Sequence, residues 1–337
     1  MFFVFVVHVF LFDFEEYMVR LYIIRHGDPD YDTNRENGGS LTENGRAEAT
    51  ALSSFMASEN ITHAYSSPLG RARLTAELAL VAIPKFSTRF CGVEEIEVSS
   101  VEIDDSGNQL NNFQSNVPVE DWCRELSSWR QISHLDDYDC RPSGRKAPAI
   151  WDFPSPIIRS QLCDMAKGDA SADEDANTKG WKDLCTDYKA YEQDILEFCN
   201  NADEFLARHG ILKESKTNRN SNVYHFSNEL ASDPEKRQQK IAIFCHGGMG
   251  LTLLSHLLSI PMPMIHASMW LAPSSVTTIL FDEYTSRSPE TGCQIVATPR
   301  AIQISGTNHL SAAGLETCNS FYEDGGERPA GIKHNFW

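Results

Sequence analysis

The chain has 337 residues, 41% of them hydrophobic and 23% charged. That composition excludes a disordered, collagenous or membrane-embedded protein, and at this length about 75% of the unfolded surface is buried on folding without help from disulfides or metals. Twenty-nine Lys and Arg against forty-seven Asp and Glu leave a formal net charge of -18, which repels polyanions and excludes nucleic acid as the expected partner. A small anionic substrate stays compatible, because a few converging cations outweigh distant, screened charges at contact range.

Phe2 to Phe12 form an apolar run broken only by His8, with no Lys or Arg before it and Asp13, Glu15 and Glu16 after it. The run is a poor signal peptide and falls well short of the roughly 20 residues that span a bilayer. Residues 1–18 therefore read as an apolar extension outside the fold, and no stable membrane association is expected. Val19 to Arg25 is β-rich and nearly all apolar, as a strand buried on both faces should be. Leu41 to Met56 sets Ala47, Ala51, Leu52 and Phe55 at helical spacing, Ile61 to Tyr65 reads as a second strand, and Pro68 is expected in the first turn of a helix reaching Val81. This alternation predicts an α/β protein: three layers, a mostly parallel central sheet and helices on both faces.

From about residue 91 to 239 the pattern loosens, and the stretch reads as lid insertions containing one clear helix, Trp181 to His209. Regularity returns with the apolar strand Lys240 to Cys245, a Gly-rich turn, the helix Leu251 to Leu258, and strands Ser275 to Phe281 and Gln294 to Ile304. One domain over 19–320 and a solvated tail over 321–337 complete the expected organisation. The nine cysteines are scattered with no Cys-x-x-Cys pair, which points to reduced thiols and a cytoplasmic setting rather than a disulfide framework or a zinc site. Cys245 reads as a packed thiol whose position beside His246 would make it a point of oxidant sensitivity.

Three polar clusters stand at comparable places: Arg25-His26-Gly27 after the first strand, Arg71 and Arg73 near the start of the second helix, and His246-Gly247-Gly248 after Lys240–Cys245. In parallel α/β sheets the carboxyl ends of strands and the N-termini of the following helices face one crevice. Helix-end N–H groups suit an anion there, and arginine adds planar, bidentate, permanently charged donors matched to phosphate oxygens. Arg73 is better read as a solvated or ion-paired helix residue. His63, His134, His256, His266 and His309 are read as structural.

The runs Leu21-Tyr22-Ile23-Ile24-Arg25-His26-Gly27, Leu41-Thr42-x-x-Gly45, Ser66-Ser67-Pro68-Leu69-Gly70-Arg71-Ala72-Arg73-Leu74-Thr75-Ala76-Glu77 and Phe244-Cys245-His246-Gly247-Gly248 together resemble the histidine phosphatase superfamily, also called phosphoglycerate mutase-like. Ala272-Pro273-x-Ser275 and Asn308-His309-Leu310 resemble its closing segments. The resemblance implies that His26 is the nucleophile that forms a phosphohistidine and that Arg25, Arg71 and His246 bind the phosphate oxygens. It implies no metal and no cofactor, and a small phosphorylated substrate as partner. A carboxylic acid would protonate the leaving oxygen. Glu94, Glu95, Glu102 and Glu125 are candidates; Glu125 is favoured because Trp122-x-Arg124-Glu125-Leu126 resembles the acid-bearing segment of bacterial members with the same Arg-His-Gly-Asp-Pro-Asp-Tyr opening, and Glu94 is next.

A metal-independent phosphomonoesterase is thus the expected activity, with a mutase-type phosphotransferase as the alternative. Sugar-phosphate mutases continue Arg-His-Gly with Glu-Ser and an Asn, where this chain has Asp28-Pro29-Asp30-Tyr31-Asp32. A non-catalytic phosphate-binding module is the third reading, disfavoured by the presence of His26. A lipase-type hydrolase fails for want of a Gly-x-Ser-x-Gly elbow. Neither substrate nor oligomeric state is written in these motifs.

Overall fold

The computed structural model describes residues 18–81, 117–126, 188–214, 222–288 and 292–315. Glu94, Glu95, Glu102, His134, the extension 1–17 and the tail lie outside the described residues. Strand β1 (Arg20–Arg25) is buried at every position after Arg20, as its apolar run Leu21 to Ile24 requires. It is followed by the two-residue strands β2 (Pro29–Asp30) and β3 (Ser40–Leu41), helix α1 (Glu43–Glu59), β4 (His63–Ser66) and helix α2 (Gly70–Leu80). Helix α3 (Tyr188–Arg208), β5 (Ile211–Lys213), β6 (Tyr224–Phe226) and the short α4 (Asn228–Ser232) lead to β7 (Lys240–Cys245). Helices α5 (Gly247–Leu258) and α6 (Met262–Ser268), the long strands β8 (Val276–Ser288) and β9 (Gly292–Gly306), and α7 (Asn308–Ala312) close the chain.

Seven strands form one sheet in the order β4-β7-β1-β8-β9-β6-β5. β1 runs parallel to β7 in the register Arg20↔Lys240 to Arg25↔Cys245, and β4 runs parallel to β7 on its other side. The remaining neighbours pair antiparallel. The sheet is therefore mixed, and the expected parallel arrangement is confined to the three strands that end at the polar clusters. β8 and β9 follow each other closely in the chain, so they pair as an antiparallel hairpin without a crossover. Of the stretch read as insertions, residues 188–239 supply β5 and β6 to the far edge of this sheet and α3 to its cover.

The core lies on both faces of the sheet. Tyr22 and Ile24 of β1 pack with Leu52 and Met56 of α1 and Ala76 of α2, while Leu21 and Ile23 pack on the opposite face with Phe198 and Phe205 of α3 and Leu253 of α5. Alternate residues of a strand point to opposite faces, which is why one apolar strand serves two cores. On α3 the buried positions Tyr191, Phe198, Ala202 and Phe205 follow the 3.6-residue period read from the sequence. Among the described residues no helix is long and apolar enough to cross a membrane.

Three local expectations shift. The buried stripe of α1 is Gly45, Glu48, Ala49, Leu52 and Met56, and Ala47 is exposed, because the helix is turned to lay Gly45 against the loop after β1. Pro68 precedes α2 rather than opening it; Leu69 is the N-cap, and the first helical residue is Gly70, where a Cβ would meet the Gly39 carbonyl oxygen at 2.6 Å. The Gly-rich turn after β7 is itself the first turn of α5, with His246 as its N-cap.

The contact at Gly45 is the tightest of these. Thr42 caps α1 by accepting the Gly45 N–H at 3.0 Å, and a Cβ on Gly45 would stand 2.2 Å from the Asp28 carbonyl oxygen. Backbone cannot yield as a flexible side chain does. Gly45→Ala is expected to cost about 1–3 kcal/mol by overpacking in urea denaturation, while Ala47→Gly at the exposed position should cost only about 1 kcal/mol of helix propensity; equal losses would refute the close approach.

Candidate active site

The parallel register of β1, β7 and β4 brings three loops to one edge. His26 N–H donates to the Cys245 carbonyl at 2.9 Å and Ser67 N–H to the Phe244 carbonyl at 2.9 Å, so the residues just past each strand stay hydrogen-bonded side by side. A fourth loop joins them before β8: Ser274 N–H donates to the His26 carbonyl at 3.1 Å and Arg25 N–H to the Ser275 carbonyl at 3.2 Å. Arg25, His26, Arg71 and His246 are all buried here, at 4%, 2%, 7% and 0% exposure.

Both arginines are tied by backbone carbonyls and aromatic faces. Arg25 Nη1 donates to the Leu271 carbonyl and its guanidinium lies 4.5 Å over the Trp270 ring. Arg71 Nη1 donates to the Gly38 carbonyl and its guanidinium lies 5.3 Å from the Tyr31 ring. Carbonyl and π-face contacts hold a cation in place without neutralising it. Burial works against the charge of Arg25, and Tyr31, Glu125 and Glu48 oppose that effect; a guanidinium stays protonated in proteins regardless.

The histidines are prepared differently. His26 Nδ1 sits 2.7 Å from the Gly27 carbonyl oxygen, which can only accept, so Nδ1 carries the proton and Nε2 the lone pair. That lone pair accepts from Arg71 Nε at 3.1 Å. The His246 ring stands 5.1 Å from that of His26, centroid to centroid. Its Nε2 lies 2.7 Å from Ser67 Oγ, and its pKa is pushed well down by burial and by Arg71, His26, Arg25 and Arg124, so the ring is neutral.

Glu125 reaches the same place from a separate segment. Ser66 N–H donates to the Pro118 carbonyl and Glu120 N–H to the Ser66 carbonyl, each at 2.9 Å, and Val119 forms a parallel bridge with Ser66. This docks residues 117–126 on the outer edge of β4. Trp122 packs against Phe198 and Phe205 of α3 at 5.7 and 5.2 Å, and Glu120 accepts from both Trp122 Nε1 at 3.0 Å and Arg208 Nη2 at 2.8 Å. Glu125 Oε1 then accepts the Met249 N–H of α5 at 2.9 Å. Burial raises the Glu125 pKa, opposed by Arg71, the Met249 N–H, Arg25 and the Gly248 N–H. The free N–H groups of α5, expected to meet a substrate anion, are thus turned to a protein carboxyl.

Not every expected residue joins the site. Arg73 makes no ion pair among the described residues, and its Nε is buried without a partner, so it is neither ion-paired nor fully solvated. Cys245 is buried and burial pushes its thiol far up, which removes the thiolate and with it the expected oxidant sensitivity. His63 and His266 are core residues pushed down to about 4 and about 3 by desolvation, and His256 pairs with Asp203 at 2.7 Å. His309 hydrogen-bonds the Ser274 backbone and so props the loop under His26. Among the described residues no group of three or more His, Cys, Asp or Glu is arranged to hold a metal ion.

With this geometry in view, the chain's relations are informative. The sequence model of the Histidine phosphatase superfamily (branch 1) matches residues 21–111, and the matched stretch holds the Arg25-His26-Gly27 turn and Arg71. The chain is similar to the probable phosphoglycerate mutase GpmB of Photorhabdus laumondii, 35% identical over 83 residues, 23% of this chain and 35% of that protein. It is also similar to that of Salmonella arizonae, 27% identical over 124 residues, 36% of this chain and 55% of that protein. The match to the first spans only about a third of the relative's length. Among solved structures, phosphoserine phosphatase from Entamoeba histolytica with 3-phosphoglyceric acid aligns with TM-score 0.39 and 15% identity over 87% of this chain and 100% of that one. Mycobacterial glucosyl-3-phosphoglycerate phosphatase with VO3 aligns with TM-score 0.38 and 18% identity over 85% and 98%. These structural likenesses are too distant to bear on chemistry.

One residue of the site escaped the sequence reading. Glu48, fully buried on α1, accepts the Asp28 N–H at 2.9 Å, Asn44 Nδ2 at 2.9 Å and the Ser274 hydroxyl at 3.4 Å, so it clamps the loops on either side of His26. Its signal was a carboxylate on the apolar stripe of a helix. Burial raises its pKa from 4.5 to about 7. The folded state therefore holds the proton where the unfolded chain has lost it, and the associated stability is full below about pH 4.5 and is lost as pH rises through about 7. Wild type should lose about 3 kcal/mol across that window, and Glu48→Gln should not; parallel pH profiles of the two in urea denaturation would refute the assignment.

Proposed function

We propose that the chain is a phosphomonoesterase that hydrolyses a small phosphorylated substrate through a phosphohistidine at His26. One observation carries the reading: the lone pair of His26 Nε2 opens among two buried guanidiniums, a neutral imidazole and a carboxyl of raised pKa. Side chains packed for structure alone would not gather two guanidiniums, two imidazoles and a carboxyl at this burial around one lone pair, because burying charge is costly.

In the resting site Arg71 Nε–H caps the nucleophile. An arriving phosphate offers Arg71 charged oxygens in place of a neutral nitrogen, which is the stronger hydrogen bond, and the lone pair is released. His26 Nε2 then attacks phosphorus as the ester P–O bond breaks, and Glu125, protonated, gives its proton to the leaving oxygen. Arg25, Arg71 and His246 hold the three non-bridging oxygens, where charge gathers in the transition state. In the second half the Glu125 carboxylate takes a proton from water, the hydroxide bonds phosphorus, and the P–N electron pair returns to His26. No metal or cofactor enters either step. The free thiols of Cys123, Cys199 and Cys245 suit a cytoplasmic setting, and residues 19–320 would act as one catalytic domain.

A mutase-type phosphotransferase is the second reading, favoured by the names of the curated relatives and opposed by the Asp28-Pro29-Asp30 opening. Phosphate release against transfer to a second hydroxyl, measured over a panel of phosphorylated metabolites, separates the two.

Two substitutions test the chemistry. Wild type incubated with substrate should yield an acid-labile, base-stable phosphoenzyme that is missing from His26→Ala; equal labelling of both would end the proposal. Glu125→Gln should lose about 10²- to 10⁴-fold on an alkyl phosphate, whose alkoxide leaves only with a proton, and distinctly less on p-nitrophenyl phosphate. A loss independent of the leaving group would remove Glu125 from the acid role.

A further inference from the structure

The geometry points to Ser67 as a positioning residue that fixes which nitrogen of His246 carries the proton, turning the ring into a hydrogen-bond donor for the substrate's phosphate. The purpose of that proton rests on the phosphate-site reading above; its location does not.

Proton bookkeeping around one buried hydroxyl gives the result. Ser67 is completely buried, and its Oγ accepts the Leu69 N–H at 3.3 Å, which takes one of its lone pairs. Its own O–H needs an acceptor, and the group within reach is His246 Nε2 at 2.7 Å. If Nε2 carried the proton instead, both lone pairs of Ser67 would be filled and its hydroxyl proton would be stranded in the interior, a costly arrangement. The hydroxyl therefore donates to Nε2. A neutral imidazole has one N–H, so that proton sits on Nδ1.

His246 Nδ1 is buried and has no hydrogen-bond partner. It belongs to a ring that feels Arg71, Arg25 and the His26 ring as its charged or titratable neighbours within the site, with Arg124 beyond them. The field of these cations favours a lone pair at Nδ1, so Ser67 holds the ring against the preference of its surroundings. A third donor thereby joins the two guanidiniums for the oxygens of a phosphate. The arrangement complements that of His26, whose Gly27 carbonyl keeps the proton on Nδ1 and leaves Nε2 bare for attack. Two neutral imidazoles 5.1 Å apart are thus assigned opposite tasks by a carbonyl on one and a hydroxyl on the other.

The test is two-bond 1H–15N correlation NMR of the histidine rings at neutral pH in the full chain, with His246 assigned through His246→Gln, followed by titration with inorganic phosphate. In wild type, His246 should show a protonated Nδ1 and a bare Nε2. In Ser67→Ala the pattern should reverse and phosphate should bind about tenfold more weakly, whereas Ser67→Thr, which keeps the hydroxyl, should restore both. A merely structural serine would leave the tautomer unmoved. Protonation of Nε2 in wild type overturns the inference, and that measurement stands even if Ser67→Ala fails to fold. An unchanged tautomer in folded Ser67→Ala also overturns it. If the tautomers behave as stated but wild type binds no phosphate, the phosphate-site reading fails and the assignment of Ser67 survives.

Discussion

Two guanidinium groups buried at the ends of parallel strands are the constraint from which the architecture of this site follows. Neither arginine can be left without acceptors. Arg25 takes the Leu271 carbonyl and the Trp270 face; Arg71 takes the Gly38 carbonyl and the Tyr31 face. Those partners come from two loops, Leu271 and Trp270 from the one before β8 and Gly38 and Tyr31 from the one between β2 and β3, so satisfying two cations ties both loops to the end of β1 and the start of α2 at once. Glycines occur where the backbone must approach most closely: a Cβ on Gly247 would meet Arg25 Nε at 3.3 Å, and Gly38, whose carbonyl serves Arg71, has a φ of +83°, which a glycine adopts without strain. The pocket keeps its positive field because its carboxyls are themselves restrained by burial, Glu125 and Glu48 both being pushed toward the protonated form.

The carboxyl at the site is delivered by packing rather than by local chain geometry. Residues 117–126 are hydrogen-bonded to the edge of β4 and held from outside by the Trp122 and Glu120 contacts with α3. Helix α3 in turn lies on the sheet through Phe198 and Phe205. A stretch that began as a run of insertions in the sequence is in this way coupled to the core: loosening α3 would loosen Glu125.

Much of this was legible in the residues themselves. Leu21 to Ile24 and Ile241 to Cys245 are unbroken apolar runs bounded by charged residues, the pattern of a strand covered on both faces; the polar clusters that follow them were expected at one sheet edge. What stayed hidden was of four kinds. β5 and β6 have three residues each, too few for a period to show. The outer half of β8, Asp282 to Ser288, is rich in Ser, Thr and charged residues because the hairpin extends past the partner strand β1, which pairs only with Val276 to Leu280. And the contacts that hold Arg25 and Arg71 are backbone carbonyls of Leu271 and Gly38, which any residue could supply. Glu48 was concealed by phase, since the stripe through Ala47 and Ala51 differs from the one actually buried by a small rotation of an alanine-rich helix.

The pairing of β1 with β7 has a consequence in time. Arg20 pairs with Lys240, so the two strands that frame the site are separated by most of the chain, and at ribosomal rates of about 5–20 residues per second the first strand waits on the order of 10 to 40 s for its partner. Until then its five buried residues have no sheet to join on that side, and contacts of such long range form slowly once available. The nascent chain therefore carries an unpartnered apolar strand through most of its synthesis, an interval in which protection of that segment matters more for yield than the stability of the finished fold.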